Sequence, residues 1–187
     1  MGFLDAILGR SKPVRPDLDQ LFALPSAAVT LQAAAGFVPT GLGSVCFASV
    51  EGGAFSRIQE EARSLLDGSV EFTQDGYGYT WLLVRHPPED TAGLVNDLHA
   101  VNTSLADSGF GPQLLCSLVG FRDDRQRPLA LVYLYKRGTF YPFAPHSHGG
   151  EKRDSALELQ VRAMLADDLT VEKDLARWFP VWGAPGL

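Results

Sequence analysis

The run from Gln113 to Phe143 carries the clearest pattern in the chain: QLLCSLVGF, a charged interval RDDRQRP, then LALVYLYKRGTFYPF. Two apolar runs rich in Leu, Val, Phe and Tyr around a short polar interval predict an antiparallel hairpin with a solvated tip. Side chains alternate across a strand, so Leu129, Leu131, Tyr133 and Tyr135 share one face while Ala130, Val132 and Leu134 share the other. Neither face is polar. Such a sheet needs cover on both sides: one cover can come from the chain's own helices, and the other requires a second layer, a second subunit or a bound partner.

The rest of the chain supplies candidate covers. Residues 17–35 read as helical in two pieces, with Leu18, Leu21 and Phe22 before a break at Pro25 and Ser26 as N-cap of the second piece. Residues 43–50 alternate as a strand, Val45 and Phe47 against Ser44, Cys46 and Ala48. A helix over 54–66 repeats Phe55, Ile58, Ala62, Leu65 and Leu66 at helical spacing and stops at Gly68. Strands over 69–73 and 77–85 flank the turn Gln74-Asp75-Gly76, and the second sets Tyr77, Tyr79, Trp81 and Leu83 on one face. Pro87 and Pro88 introduce the longest helix, about 89–108, with Leu94, Leu98, Val101 and Leu105 in one stripe suited to the inner face of the hairpin. Beyond the hairpin, APHSHGG is a loop by composition, residues 154–166 form a helix with Ser155 and Glu158 spaced as a capping box, and a last short helix covers 172–179. The closing WFPVWGAPGL is too rich in Pro and Gly for regular structure, yet Trp178, Phe179, Val181, Trp182 and Leu187 require a surface to lie on.

This order predicts an α+β fold, a single mainly antiparallel sheet of about five strands with helices on one face. Residues 17–187 form one domain with an apolar C-terminal tail. Residues 1–16 stand apart as a short amphipathic segment and basic linker: Phe3, Leu4, Ile7 and Leu8 line one side of a helix, and Arg10, Lys12 and Arg15 follow. That segment suits a partner's groove, an anionic membrane surface or the chain's own domain.

Composition narrows the function classes. The chain has 187 residues, 45% hydrophobic and 20% charged, and a formal net charge of -6, so a single sizeable core is expected and general affinity for nucleic acid is not. Cys46 and Cys116 lie in separate apolar runs without CxxC or Cys/His spacing, which argues for buried thiols in a reducing compartment rather than a metal site or redox motif. No apolar run approaches the roughly 20 residues of a membrane span, and MGFLDAILGR lacks the charge order and apolar centre of a signal peptide. The expected location is cytoplasmic, with the N-terminal segment offering a peripheral contact at the inner face of the membrane.

Candidate chemistry is sparse. No nucleophile elbow, P-loop or GxGxxG is present, and no catalytic, cofactor-binding or metal-binding residues are assigned. His146 and His148 lie two apart in a Gly-rich loop without further ligands signalled, and His86 and His99 are isolated. Lys136 and Arg137 sit among aromatics, a combination able to stack on bases or grip phosphate, although a strand end with snorkelling basic residues explains them too. Tyr133, Tyr135, Lys136, Arg137, Trp178 and Trp182 form the candidate interaction surface. The aromatic face of Tyr77, Tyr79 and Trp81 reads first as core.

Across nearly its whole length the chain resembles PspAB, a bacterial family named for its association with PspA, the phage shock protein that coats and remodels stressed membranes. The strings that carry the likeness are MGFLDAILGRSKP, GYGYTWLLVR, LHAVN, GFGPQLLCSLVGF, LALVYLYKRGTFYPFAP, LELQVR and RWFPVWGAPGL, whereas HSHGGEKR at residues 146–153 does not match. The resemblance implies an accessory protein of the envelope-stress response acting beside PspA, and it brings no active-site residues and no cofactor. The element order also resembles the fold of type III secretion chaperones and the YbjN family, apart from the additional helix over 54–66. That fold implies an open sheet face for dimerisation or for holding a partner segment.

The expectation is therefore a non-enzymatic binding or regulatory protein that meets a PspA-like partner. Two alternatives stand beside it: a ligand-sensing domain or small enzyme with a pocket near Lys136 and Arg137, and a homodimeric, chaperone-like peptide-binding protein.

Overall fold

The alternating runs pair antiparallel throughout. The structure, a computed structural model, describes residues 16–66 and 70–187. The expected N-terminal helix, with Phe3, Leu4, Ile7, Leu8, Arg10, Lys12 and Arg15, lies outside the described residues, as do Gly68 and Ser69. Strands β1 (Val38–Ala48), β2 (Glu71–Gln74), β3 (Tyr79–Arg85), β4 (Leu114–Arg122), β5 (Pro128–Leu134) and β6 (Thr139–Phe143) form one sheet in the order β2-β3-β1-β4-β5-β6. The sixth strand arises because the long run after Pro128 divides. Tyr135 to Gly138 turn the chain, the Gly138 N–H donating to the Leu134 carbonyl at 2.9 Å, with Gly138 at φ 67°, where glycine meets little penalty.

Helices α1 (Leu24–Ala35), α2 (Gly53–Leu65), α3 (Thr91–Leu105) and α4 (Ser155–Met164) contribute to the larger core. In it Leu94, Leu98, Val101 and Leu105 of α3 join Val45, Phe47, Leu82, Val84, Val119, Phe121, Leu131 and Tyr133 from the sheet. The alternation read from the hairpin holds: residues 129, 131 and 133 meet the helices, and Ala130 and Val132 belong to the core on the opposite face.

Local details differ from the sequence reading where a neighbour competes for a side chain. Pro25 occupies the first turn of α1, where its missing N–H costs nothing, so the 3-10 turn Leu18–Ala23 runs into α1 without a break. Ser26 does not cap; its hydroxyl donates to Asp168. Asp154 rather than Ser155 caps α4 by accepting from the Leu157 N–H, and Glu158 turns inward to accept from the Ala144 N–H and the Arg153 guanidinium. The last helix shrinks to the turn Leu175–Arg177. At the tip of the β4–β5 hairpin, Asp123 gathers the charged interval, accepting from the N–H groups of Arg125 and Arg127 and the Arg127 side chain.

The second sheet face is covered by the C-terminal tail. Cys46, Trp81, Cys116, Leu118, Ala130, Val132, Tyr141 and Phe143 make a smaller core with Trp178 and Ala184, against which Val181, Trp182 and Leu187 pack. An irregular segment satisfies only part of its own backbone, here through the Ala184 and Leu187 N–H groups donating to the Val181 and Ala184 carbonyls, and side chains of the sheet meet other carbonyls. The Tyr141 hydroxyl donates to Phe179 O at 2.7 Å, the Ser44 hydroxyl to Pro185 O at 2.8 Å, and the Arg122 guanidinium to Leu187 O at 3.3 Å. Before the tail, the Phe140 N–H donates to the Thr170 carbonyl and the Glu172 N–H donates to the Phe140 carbonyl around a parallel bridge to Val171, which covers part of the β6 edge. Gly120 lets the tail pass: a β-carbon there would overlap the Gly186 carbonyl oxygen.

Candidate functional site: the tail-side cleft

The tail roofs only part of that face. Beside it lies a cleft of about 770 Å³, whose floor includes Cys46, Trp81, Leu115, Cys116, Leu134 and Tyr141. Asp75, Tyr77 and Tyr79 bring in the β2–β3 turn, Lys136 and Arg137 the β5–β6 turn, and Phe179 to Trp182 the tail. Glu151 and Arg177 complete the rim. The lining is predominantly apolar with charge at its edge, the composition of many recognition sites.

The ionisable groups at the rim are largely committed to structure. Burial opposes ionisation of Asp75, but the Trp81 indole and the N–H groups of Tyr79 and Tyr77 donate to it and hold its carboxyl below the usual range. Glu172, with a side chain 4% exposed, is likewise opposed by burial. The Asp174 N–H, the Thr139 hydroxyl and Arg137 outweigh that cost and lower its pKa. Arg137 approaches Glu172 at 3.4 Å and Arg177 at 3.6 Å, so one buried carboxylate orients two cleft-lining arginines. Burial raises the Tyr141 phenol, which stays protonated as donor to Phe179.

The sequence candidates separate here. Lys136 and Arg137 are exposed and line the cleft, and Trp182 does so while packing edge-on to Phe143 at 4.9 Å between ring centroids. Trp178 is buried, stacked on Tyr141, and its indole donates to Glu172 O. Tyr133 and Tyr135 do not belong to an exposed surface. They sit in the helix-side core, 1% and 5% exposed, and the Tyr133 hydroxyl donates to Asp17 O. The strand alternation that separates residue 133 from Leu134 removes it from the cleft side.

Several cleft residues were not foreseen. Trp81 is core, as read, but Tyr77 and Tyr79 are 71% and 42% exposed and form a wall. The two cysteines, distant in sequence, are direct partners across β1 and β4. Among the described residues no histidine lines the cleft, so neither thiol has an imidazole there to take its proton.

The histidines occupy other places. His86 lies between Asp97 at 2.6 Å and Asp90 at 3.0 Å. Burial disfavours its charged form, but hydrogen bonds to both carboxylates prevail and raise its pKa. His99 contacts Asp19 at 3.0 Å and packs on Phe22, while His146 and His148 are exposed in their loop. Among the described residues no group of three or more His, Cys, Asp or Glu is arranged to hold a metal ion. Nor, among them, is any helix long and apolar enough to cross a membrane.

Comparison with curated proteins and with solved structures found no match. The family model for PspA associated protein B matches residues 1–186, the same family that the strings along the chain resemble. The chain belongs to the PspAB family.

Proposed function

We propose that this protein is a non-enzymatic binding module that acts beside a PspA-like protein and receives an apolar segment of it in the tail-side cleft. The family name supports the link to PspA. The observation that carries the binding reading is the half-roofed second sheet face, where Tyr77, Tyr79, Leu134, Val181 and Trp182 surround apolar surface that the tail leaves uncovered. Large exposed apolar patches favour association because meeting a partner removes them from water. The N-terminal segment, whose sequence sets Phe3, Leu4, Ile7 and Leu8 before Arg10, Lys12 and Arg15, is a second contact for the partner or for anionic lipid.

The test is copurification of the full chain with a PspA-type coiled coil. Wild-type protein is expected to retain it. Tyr79→Glu and Lys136→Glu, which alter exposed positions, are expected to weaken retention at least tenfold without lowering the melting temperature. Leu4→Glu with Ile7→Glu reports separately on the N-terminal contact. Retention of neither coiled coil nor anionic vesicles by the wild type would overturn the reading.

One observation favours a second reading. The cleft volume falls within the roughly 300–1,000 Å³ of small-molecule sites. Lys136, Arg137 and Arg177 at its rim suit an anionic ligand, as a ligand-sensing domain requires. A small anion that raises the melting temperature of the wild type but not of Lys136→Glu would favour that reading over protein docking. A dimer in sedimentation that Tyr79→Glu dissociates would instead assign the cleft to a second copy.

A further inference from the structure

Cys46 and Cys116 are separated by 70 positions in the sequence, yet the register of β1 with β4 sets them directly opposite one another on the tail-side face. Directly opposed residues of antiparallel strands have Cα atoms about 4.5 or 5.5 Å apart. Both spacings fall inside the roughly 4.4–6.8 Å that a disulfide spans. Both cysteines are free thiols. Cys46 is 3% and Cys116 9% exposed, and both belong to the floor of a cleft that opens to solvent. A buried thiol elsewhere in the core would have neither a partner nor a route of access.

We propose that Cys46 and Cys116 form a reversible dithiol–disulfide couple in the floor of the cleft, oxidised by a small disulfide of the glutathione type. Cys116, the more exposed, loses its proton and attacks one sulfur of oxidised glutathione. A mixed disulfide forms and one glutathione thiolate leaves and is protonated. Cys46 then loses its proton and attacks the Cys116 sulfur, the mixed disulfide breaks, and the second glutathione leaves as its thiol. Two protein thiols are oxidised and one external disulfide is reduced to two thiols, so atoms, protons and electrons balance. The neighbouring Cys116 thiol and burial both keep Cys46 protonated, so exchange at neutral pH is slow and the couple is read at equilibrium. Closure of the bond ties two central strands together beneath the cleft and replaces two S–H groups in its floor. The site stands independently of which partner the cleft receives.

The experiment equilibrates the full chain in glutathione buffers of graded reduced-to-oxidised ratio, quenches with acid, alkylates the remaining thiols in denaturant and measures intact mass. The expected result is loss of both alkylatable thiols together over one two-electron transition, with a mass lower by two hydrogens and no retained glutathione. Cys46→Ser and Cys116→Ser are each expected to end with glutathione attached to the remaining thiol or with that thiol free. Two free thiols at the most oxidising ratio, or wild-type protein carrying glutathione on each cysteine, would overturn the proposal. Because the wild-type mass decides it, a variant that fails to fold does not obscure the answer.

Discussion

The two faces of the sheet are covered by different physical means. On the helix side, α3 satisfies its backbone internally and presents an apolar stripe, so Leu94, Leu98, Val101 and Leu105 can be at most 1% exposed. On the tail side, the cover is irregular and depends on Tyr141, Ser44 and Arg122 to meet its carbonyls. A helix brings cover without polar debts; a tail must be pinned residue by residue, and where the pins end the cleft begins. The consequence is unequal local stability, with the tail side the cheaper place to open.

Mutations can break that contrast. Phe121, 1% exposed in the helix-side core, should cost about 3–5 kcal/mol as Phe121→Ala, read from the urea midpoint. A cost no larger than that of a tail-side truncation would erase the distinction. Gly120→Ala forces the Gly186 carbonyl away and should cost about 1–3 kcal/mol, with faster amide exchange in residues 181–187 and little change in α3. Protection unchanged along the tail would mean that the crossing at Gly120 does not hold it down.

The pH dependence should differ in direction between the two sides. The lowered pKa of Glu172 gives a stabilising contribution that is complete above its ordinary value of 4.5 and is lost as pH falls through the folded-state value. Acid should therefore loosen the tail side first, and Glu172→Gln should flatten that limb of the stability profile. The raised pKa of His86 acts oppositely: its contribution is complete below 6.5 and is lost as pH rises through the folded-state value. His86→Gln should remove that loss, which thermal melts across neutral pH would detect. Least costly is Trp182→Ala, about 1 kcal/mol for its edge-on contact with Phe143, because solvent already reaches the ring. Its larger effect should fall on whatever enters the cleft.

Much of the fold was legible because periodicity records which side of an element meets apolar neighbours. The stripe of α3 and the alternation of β1 and β5 led to the correct faces, and the apolar tail had to lie on something. The sixth strand was hidden because YLYKRGTFY reads as one apolar run until the turn at Tyr135 to Gly138 is seen. Capping by Asp154 rather than Ser155 was equally hidden, since two adjacent residues can cap and only the packing of Glu158 against Ala144 and Arg153 decides between them. Lys136 and Arg137, singled out for their charge among aromatics, and Trp182, singled out in the apolar tail, line the cleft. Tyr133 and Tyr135 were misplaced by the same tract, because nearness in sequence was taken for nearness on one surface.

The amino-acid order alone determined that this chain would build an antiparallel sheet with two apolar faces, since alternation and helical spacing are local properties that burial rewards wherever they occur. Tertiary structure alone decided which cover each face received and that Cys46 would meet Cys116. Strand register and the path of an irregular tail depend on contacts between residues far apart in sequence, and no local pattern encodes those partners.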